Sequence, residues 1–513
     1  MNKKSVKYLI TLTVFILLII FSFTPSIEFL LNFANDDSFF YLKTAYNFSA
    51  GHGSTFDLIN ETNGYHPLWF IILSAYYFVI NLFTTFNPEL YFRLTVLLIN
   101  SINASIIYYL YKYFKTTDPE NADRGFILML PLFLTFVAIR DYGMETHLTC
   151  LIIVLYIYIK SSELKFQKTL NIQKIFLLCV LFLSRIDFLF TVIPVIIISD
   201  YLLSPQDQKK KFIFGSAAAL FFISIAYFFS NYIFFGNFLT ITTKVKSSFP
   251  VNIFLKNFND LFAPGTFTNQ FVKSFYVLNV IMLFLILLSV KKQRNKFQKP
   301  DMFLFAICIS SLIFIVFNLF YNWYTLKEWY VAFPAFVCSI LLVRMLKLFP
   351  SAFYISLSGF ILIFILYFYA TRLTNPKWDS MYYYALDLKK NTEPEDRIFM
   401  IDLSGIIGYF SERKVINGDG LINSFEYWKY RDSDSLHKYF EKESIGFYST
   451  YSTAKGNHEV KDSSGYLIDK CYSNKFGGYS FTFPKENLLL KSPYYYFHAV
   501  NSDKGFWYLF KLN

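Results

Sequence analysis

Charge is what this sequence lacks most for its length. Only 16% of its 513 residues are Asp, Glu, Lys or Arg, against 55% hydrophobic and 21% aromatic residues. That balance is too apolar for a soluble protein of this size and fits a polytopic membrane protein. Cysteine is scarce too: Cys150, Cys179, Cys308, Cys338 and Cys471, with no C-x-x-C. Four of the five stand inside apolar runs and read as small buried hydrophobes, which argues against a thiolate metal site or a disulfide scaffold. There is no P-loop and no G-x-G-x-x-G turn, so the sequence carries no signal of the cytosolic Rossmann-like half that a nucleotide-sugar enzyme would need. Internal repeats and low-complexity linkers are absent.

The charge that is present has a pattern. The net balance is +12, and its Lys and Arg gather as KKSVK (3–7), KKK (209–211) and KKQRNK (291–296) between apolar segments. This is how cytoplasmic loops of membrane proteins look, so the partner of the basic residues is a bilayer rather than nucleic acid. Apolar stretches run at 8–28, 67–86, 91–114, 126–139, 146–159, 176–203, 212–235, 271–290, 301–320, 329–343 and 351–370. A span needs about 20 apolar residues, which predicts about 10–12 spans. The first stretch is long for a signal peptide and no small-x-small site follows it. It reads as a retained span of the cytoplasmic membrane with its N-terminus inside.

Two stretches are interrupted. RDYGMET separates 126–139 from 146–159, and SRID falls inside 176–203. Polar breaks at membrane depth are tolerated only against protein or a watery cavity, so both point inward to a site. If 205–211 is inside, then 236–270, 321–328 and everything past 371 are outside. The first half conflicts: counting from the N-terminus puts 115–125 outside, although Lys112, Lys115 and Arg124 favour the inside. The topology of 67–203 stays open.

The chain divides into a membrane module, 1–375, and a soluble extracytoplasmic α/β unit, 376–513. In the latter, DRIFMID (396–402) reads as a strand and SGIIGYF as a turn into a short helix. SIGFYSTY, GYSFTFP and GFWYLFKLN read as further strands.

The first outer loop, about 29–66, carries Asp36 and Asp37 side by side. Adjacent like charges need water, a cation or a basic ligand to offset them. Two readings are open: a solvated loop or helix cap, or a chemical pair. FFYLKTAYNF after them is expected to lie along the membrane surface. NGYHPLW then re-enters, with Tyr65, His66 and Trp69 at interface level, where anchoring is the plainer role of the tryptophan. Glu145 in the RDYGMET break is either an inert loop residue or an acid with a role, since a carboxylate between apolar segments is costly. Arg185 and Asp187 of SRID read as an internal salt bridge.

In this order, the loop with its Asp pair, NGYHPLW opening the second span, GMETHL (143–148), LSRIDF (183–188) and DLSGIIGYFSERKVINGDGLINS (402–424) resemble the GT-C glycosyltransferases. These are integral membrane enzymes that use polyprenyl-phosphate sugars. The likeness is to the bacterial branch near the arabinofuranosyltransferases, and more distantly to lipid A aminoarabinose transferases and protein mannosyltransferases. The resemblance implies a GT-C fold and an inverting transfer from a polyprenyl-phosphate donor to a glycan, lipid-linked or protein acceptor.

The resemblance makes Asp36 the general base. A sugar hydroxyl needs its proton taken during attack, and one carboxylate suffices for a single displacement. Asp37 then holds the acceptor or a divalent cation, Mg²⁺, Mn²⁺ or Ca²⁺, and Glu145 orients the acceptor or shares that metal with Asp36. Of the two lysines in GNFLTITTKVKSSFP (236–250), Lys244 is the preferred phosphate ligand, although the family's usual proline is missing there. Arg140 pairs with Asp141 or faces the phosphate. Tyr65, His66, Arg185, Lys327 and Trp329 complete the substrate contacts, with the aromatic rings stacking on sugar or anchoring the interface. A transporter or flippase is the rival from another class, since charged broken helices suit it too. An assembly protein without activity is a third reading.

Overall fold

The computed structural model describes residues 13–14, 16–137, 141–167, 170–262, 298–323, 327–346, 377–452, 458–473, 477–492, 496–497 and 504–512. Arg140 and the expected spans at 271–290 and 351–370 lie outside them. The main helices are α1 (Asp36–Ser49), α2 (Pro67–Asn81), α3 (Pro88–Thr117), α4 (Ala122–Val137), α5 (Thr146–Phe166), α6 (Asn171–Ser184), α7 (Ile193–Leu203), α8 (Gln206–Phe235), α9 (Ile241–Lys246), α10 (Lys299–Tyr321), α11 (Glu328–Leu346), α12 (Lys377–Asn391) and α13 (Ser404–Ser411).

Four of these are long and apolar enough to cross a membrane: α3, α5, most of α8, and α10. Shorter apolar helices fill the spaces between them, and the chain is a multi-pass membrane protein. Proline at the first turn starts α2, α3 and α10, where its missing N–H is not needed and its fixed φ suits a helix. The interrupted stretch 176–203 is indeed broken: α6 ends at Ser184, Arg185 is extended, and a single 3-10 turn, Ile186–Leu189, precedes α7.

One group of charges ties three helices together. Lys160 and Glu163 on α5, Lys174 on α6 and Asp200 on α7 form four ion pairs of 2.6–3.5 Å, all buried. Asp200 also accepts hydrogen bonds from Tyr156 and Ser204, each 2.9 Å.

The C-terminal part is a mixed α/β unit. Its main sheet runs β2 (Lys414–Asn417), β1 (Arg397–Met400), β3 (Phe447–Ser452), β9 (Lys504–Lys511), β7 (Leu488–Lys491), with β8 (Tyr496–Phe497) beside β9. The β1 strand pairs parallel with β2 and β3, while β9 is antiparallel to β3. A second, antiparallel sheet holds β4 (His458–Ser463), β5 (Tyr466–Ser473) and β6 (Gly477–Pro484). The segments read as strands in the sequence thus form β1, β3, β6 and β9, and SGIIGYF forms α13.

Helix α1 departs from the expectation of a surface-lying amphipathic helix. Ten of its residues, from Asp36 to Asn47, are buried. Helix α2 packs against it, and α13 also lies on it. Asp36 Oδ2 and Oδ1 accept the backbone N–H groups of Gly405 (3.0 Å) and Ile406 (2.8 Å). Lys43 Nζ donates to the carbonyls of Gly408 and Arg413, both at 2.7 Å. A carboxylate at the N-terminus and an ammonium at the C-terminus both match the helix dipole, each worth up to about 2 kcal/mol when partly buried. The contact requires glycine at 405: a Cβ there would collide with the Asp36 carbonyl oxygen.

Candidate active site

Where α1, the 141–146 loop, the break after α6 and α9 converge, they enclose a cavity of about 570 Å³. The loop is set by local geometry. Gly143 has φ +99°, and a Cβ on it would meet Ser38 of α1. Its carbonyl accepts the Trp69 indole N–H at 2.6 Å. The next turn puts Glu145, 1% exposed, at the cavity wall.

Glu145 is engaged on both oxygens. Oε1 accepts from Arg185 Nη1 at 2.9 Å, and Oε2 accepts from the Tyr41 hydroxyl at 3.0 Å. The Tyr41 oxygen in turn accepts the His66 backbone N–H at 3.1 Å, and His66 Nε2 lies 3.6 Å from Glu145 Oε1. Arg185 uses its other edge on Asp187, with Nε and Nη2 at 3.2 and 3.1 Å. Its guanidinium also sits 5.0 Å from the ring centre of Phe314 and 5.5 Å from that of Tyr330. The arginine is therefore neutralised by two carboxylates and fixed by aromatic faces.

Asp37 and Lys246 differ from this group. Both line the cavity, and among the described residues no hydrogen bond or ion pair engages either side-chain charge. Burial pushes the Asp37 carboxyl above the usual aspartate range, with Lys246 and Lys327 pulling it partly back. Burial alone would lower Lys246, but Tyr330, Asp37, Asp419 and Glu145 carry it above the ordinary lysine value. Burial lowers the His66 imidazole, against the pull of Glu145. Lys246 is delivered by α9, whose first turn is tied to two other parts of the chain. Asn63 Oδ1 accepts the Ile241 N–H at 2.9 Å, and the Thr242 hydroxyl donates to the Leu421 carbonyl at 3.0 Å.

The opposite wall is apolar, with Phe190, Phe228, Leu239, Phe249 and Phe317 among its residues. Phe190, Leu239 and Phe249 are 66%, 53% and 71% exposed. These three lining residues stand where the cavity meets the surface of the molecule.

Asp37, Tyr65, His66, Glu145, Arg185 and Trp329, drawn from four separate stretches, meet at this one cavity. Other expected site residues sit elsewhere. Asp36 is turned away under α13. Lys244 is exposed and off the lining, because it lies two residues from Lys246 on a short helix and projects from another face. Lys327 is exposed and also off the lining. Asp187 both pairs with Arg185 and lines the cavity. The sequence reading missed Leu421 and Ile422, which the α/β unit contributes to the wall. Their one signal was membership of the 402–424 segment. Asp36 and Glu145, expected to share a divalent cation, each have both carboxylate oxygens taken by protein donors. Among the described residues no group of three His, Cys, Asp or Glu is disposed to hold a metal ion.

No protein-family model and no curated relative matches the chain. Among solved structures it is similar to the apo crystal structure of the Archaeoglobus fulgidus oligosaccharyltransferase, at 11% identity and a TM-score of 0.48, over 86% of this chain and 69% of that one. It is also similar to the oligosaccharyltransferase AglB of that organism in complex with an inhibitory peptide and a dolichol-phosphate, at 11% identity and a TM-score of 0.45, over 85% and 69%. Likeness at these scores carries no inference about chemistry.

Proposed function

We propose that the chain is an inverting GT-C-type glycosyltransferase that moves a sugar from a polyprenyl-phosphate donor to a cell-envelope acceptor on the outer face of the cytoplasmic membrane. The observation that carries this reading is that Asp37 and Lys246, two charges with no fixed partner among the described residues, line one cavity together with a set of aromatic side chains. The polyprenyl chain lies along those side chains, and the phosphate faces Lys246.

The chemistry follows from the geometry. The Asp37 carboxylate accepts the proton of the acceptor hydroxyl as its oxygen attacks the anomeric carbon. The bond from that carbon to the phosphate oxygen breaks on the opposite face, and the electron pair leaves with the polyprenyl phosphate, whose charge Lys246 stabilises. Burial raises the Asp37 carboxyl, which makes it a stronger base than a free aspartate. Arg185 already has two carboxylate partners. Its part, with Glu145 and Tyr41, is to hold His66 and the loops that frame the acceptor.

The test uses the full-length protein in lipid nanodiscs with a panel of radiolabelled short-chain polyprenyl-phosphate sugars. Release of free polyprenyl phosphate together with a glycosylated product of inverted configuration is the expected result. Movement of intact labelled lipid between leaflets of a vesicle, with no bond cleaved, would establish the transporter reading instead.

A further inference from the structure

Helix α13 has no side-chain N-cap of its own. Its N-cap, Leu403, has no side-chain acceptor and sits at φ +58°; at the other end Glu412 sits at φ +55°. Such a helix leaves its first N–H groups and last carbonyls unsatisfied unless something else reaches them. One distant helix meets part of each deficit: two of the N–H groups and one of the helix carbonyls, together with a carbonyl two residues past the helix end. Asp36 covers the N–H groups of Gly405 and Ile406, and Lys43 covers the carbonyls of Gly408 and Arg413. Seven residues separate the two charges, which places them on one side of α1 about 10.5 Å apart, close to the ~12 Å length of α13. Both are buried, at 6% and 7% exposure. Successive residues on a helix point about 100° apart, so holding Asp36 under α13 turns Asp37 toward the opening on the other side. The same unit supplies Leu421 and Ile422 to the cavity wall and is fastened there by Thr242.

We propose that Asp36 and Lys43 are positioning residues that register the α/β unit on the loop helix, and that this registration completes the cavity and aims Asp37 into it. This role rests on the reading of Asp37 as proton acceptor, yet it is read out separately. Hydrogen exchange of peptides covering 403–413, in the full-length protein in nanodiscs, reports the clamp without any turnover. Release of polyprenyl phosphate reports the reaction.

Asp36→Asn and Gly405→Ala should each speed amide exchange at 405–406 at least tenfold and lower turnover by comparable factors. The double variant should be no worse than the poorer single, and the pH midpoint of the remaining activity should stay unchanged. Lys43→Met, which keeps an apolar stem, should speed exchange at the far end of α13. Loss of turnover in Asp36→Asn with unchanged exchange, beside a fully active Gly405→Ala, would overturn the proposal and return the base to Asp36. Faster exchange with wild-type turnover would overturn it too, since registration would then not serve the site. If the wild-type protein releases no polyprenyl phosphate, the glycosyltransferase reading fails. The exchange data then still decide the clamp: tenfold faster exchange supports it and unchanged exchange overturns it.

Discussion

Two buried groups of charge in this molecule look alike by composition and differ in what they leave unsatisfied. In the Lys160–Glu163–Lys174–Asp200 group, two cations meet two anions, Tyr156 and Ser204 fill the remaining valence of Asp200, and none of the four lines the cavity. At the cavity, Glu145, Arg185 and Asp187 form a similar closed set, but Asp37 and Lys246 stand beside it with no fixed partner among the described residues. Charge inside an apolar bundle is therefore a poor marker of chemistry by itself. Charge that borders open space without a protein partner is a better one.

Substitutions can break or sharpen this contrast. The largest effect is expected at the closed group: Asp200→Asn leaves Lys160 and Lys174 short of charge and should cost about 3–5 kcal/mol of stability. Asp37→Asn, at the open group, should change stability by less than about 1 kcal/mol, because no hydrogen bond is lost. Denaturant or thermal unfolding in one detergent compares the two. Next comes Lys246→Met, which removes a charge-assisted contact to phosphate worth about 1.5–3 kcal/mol. It should raise the donor KM roughly 10–100-fold in steady-state kinetics. A pH titration of kcat/KM should show activity falling as pH drops through the Asp37 pKa, since the base must be ionised. The midpoint should lie above the usual aspartate value, as burial requires. The smallest effect is expected at Lys244→Ala, an exposed residue off the lining, with less than about threefold change in either constant.

Much of the fold was legible in the sequence because hydropathy and turn chemistry are local. The break at SRID, the strands at 397–400 and 447–452, and the short helix SGIIGYF all follow from residues within a turn of one another. Glu145 and Arg185 were legible as polar breaks in apolar stretches, and Asp37 and His66 as polar residues of the first outer loop. What the sequence could not assign was direction. Asp36 and Asp37 are neighbours, and only the contact of Asp36 with Gly405 and Ile406, more than 360 residues away, separates their roles. Lys244 and Lys246 present the same ambiguity on α9, resolved by Asn63 and Leu421 fixing its rotation. The burial of α1 was hidden for the same reason, since part of the surface that covers it is folded from the far end of the chain.

The central claim is that a lipid-phosphate sugar is cleaved beside Asp37. It is tested most directly by measuring, on the same nanodisc samples, equilibrium binding of a radiolabelled polyprenyl-phosphate sugar and its single-turnover cleavage by wild type and Asp37→Asn. The prediction is near-equal affinity with cleavage slowed by about 10²–10⁴-fold in the variant. Cleavage at the wild-type rate by Asp37→Asn would contradict it.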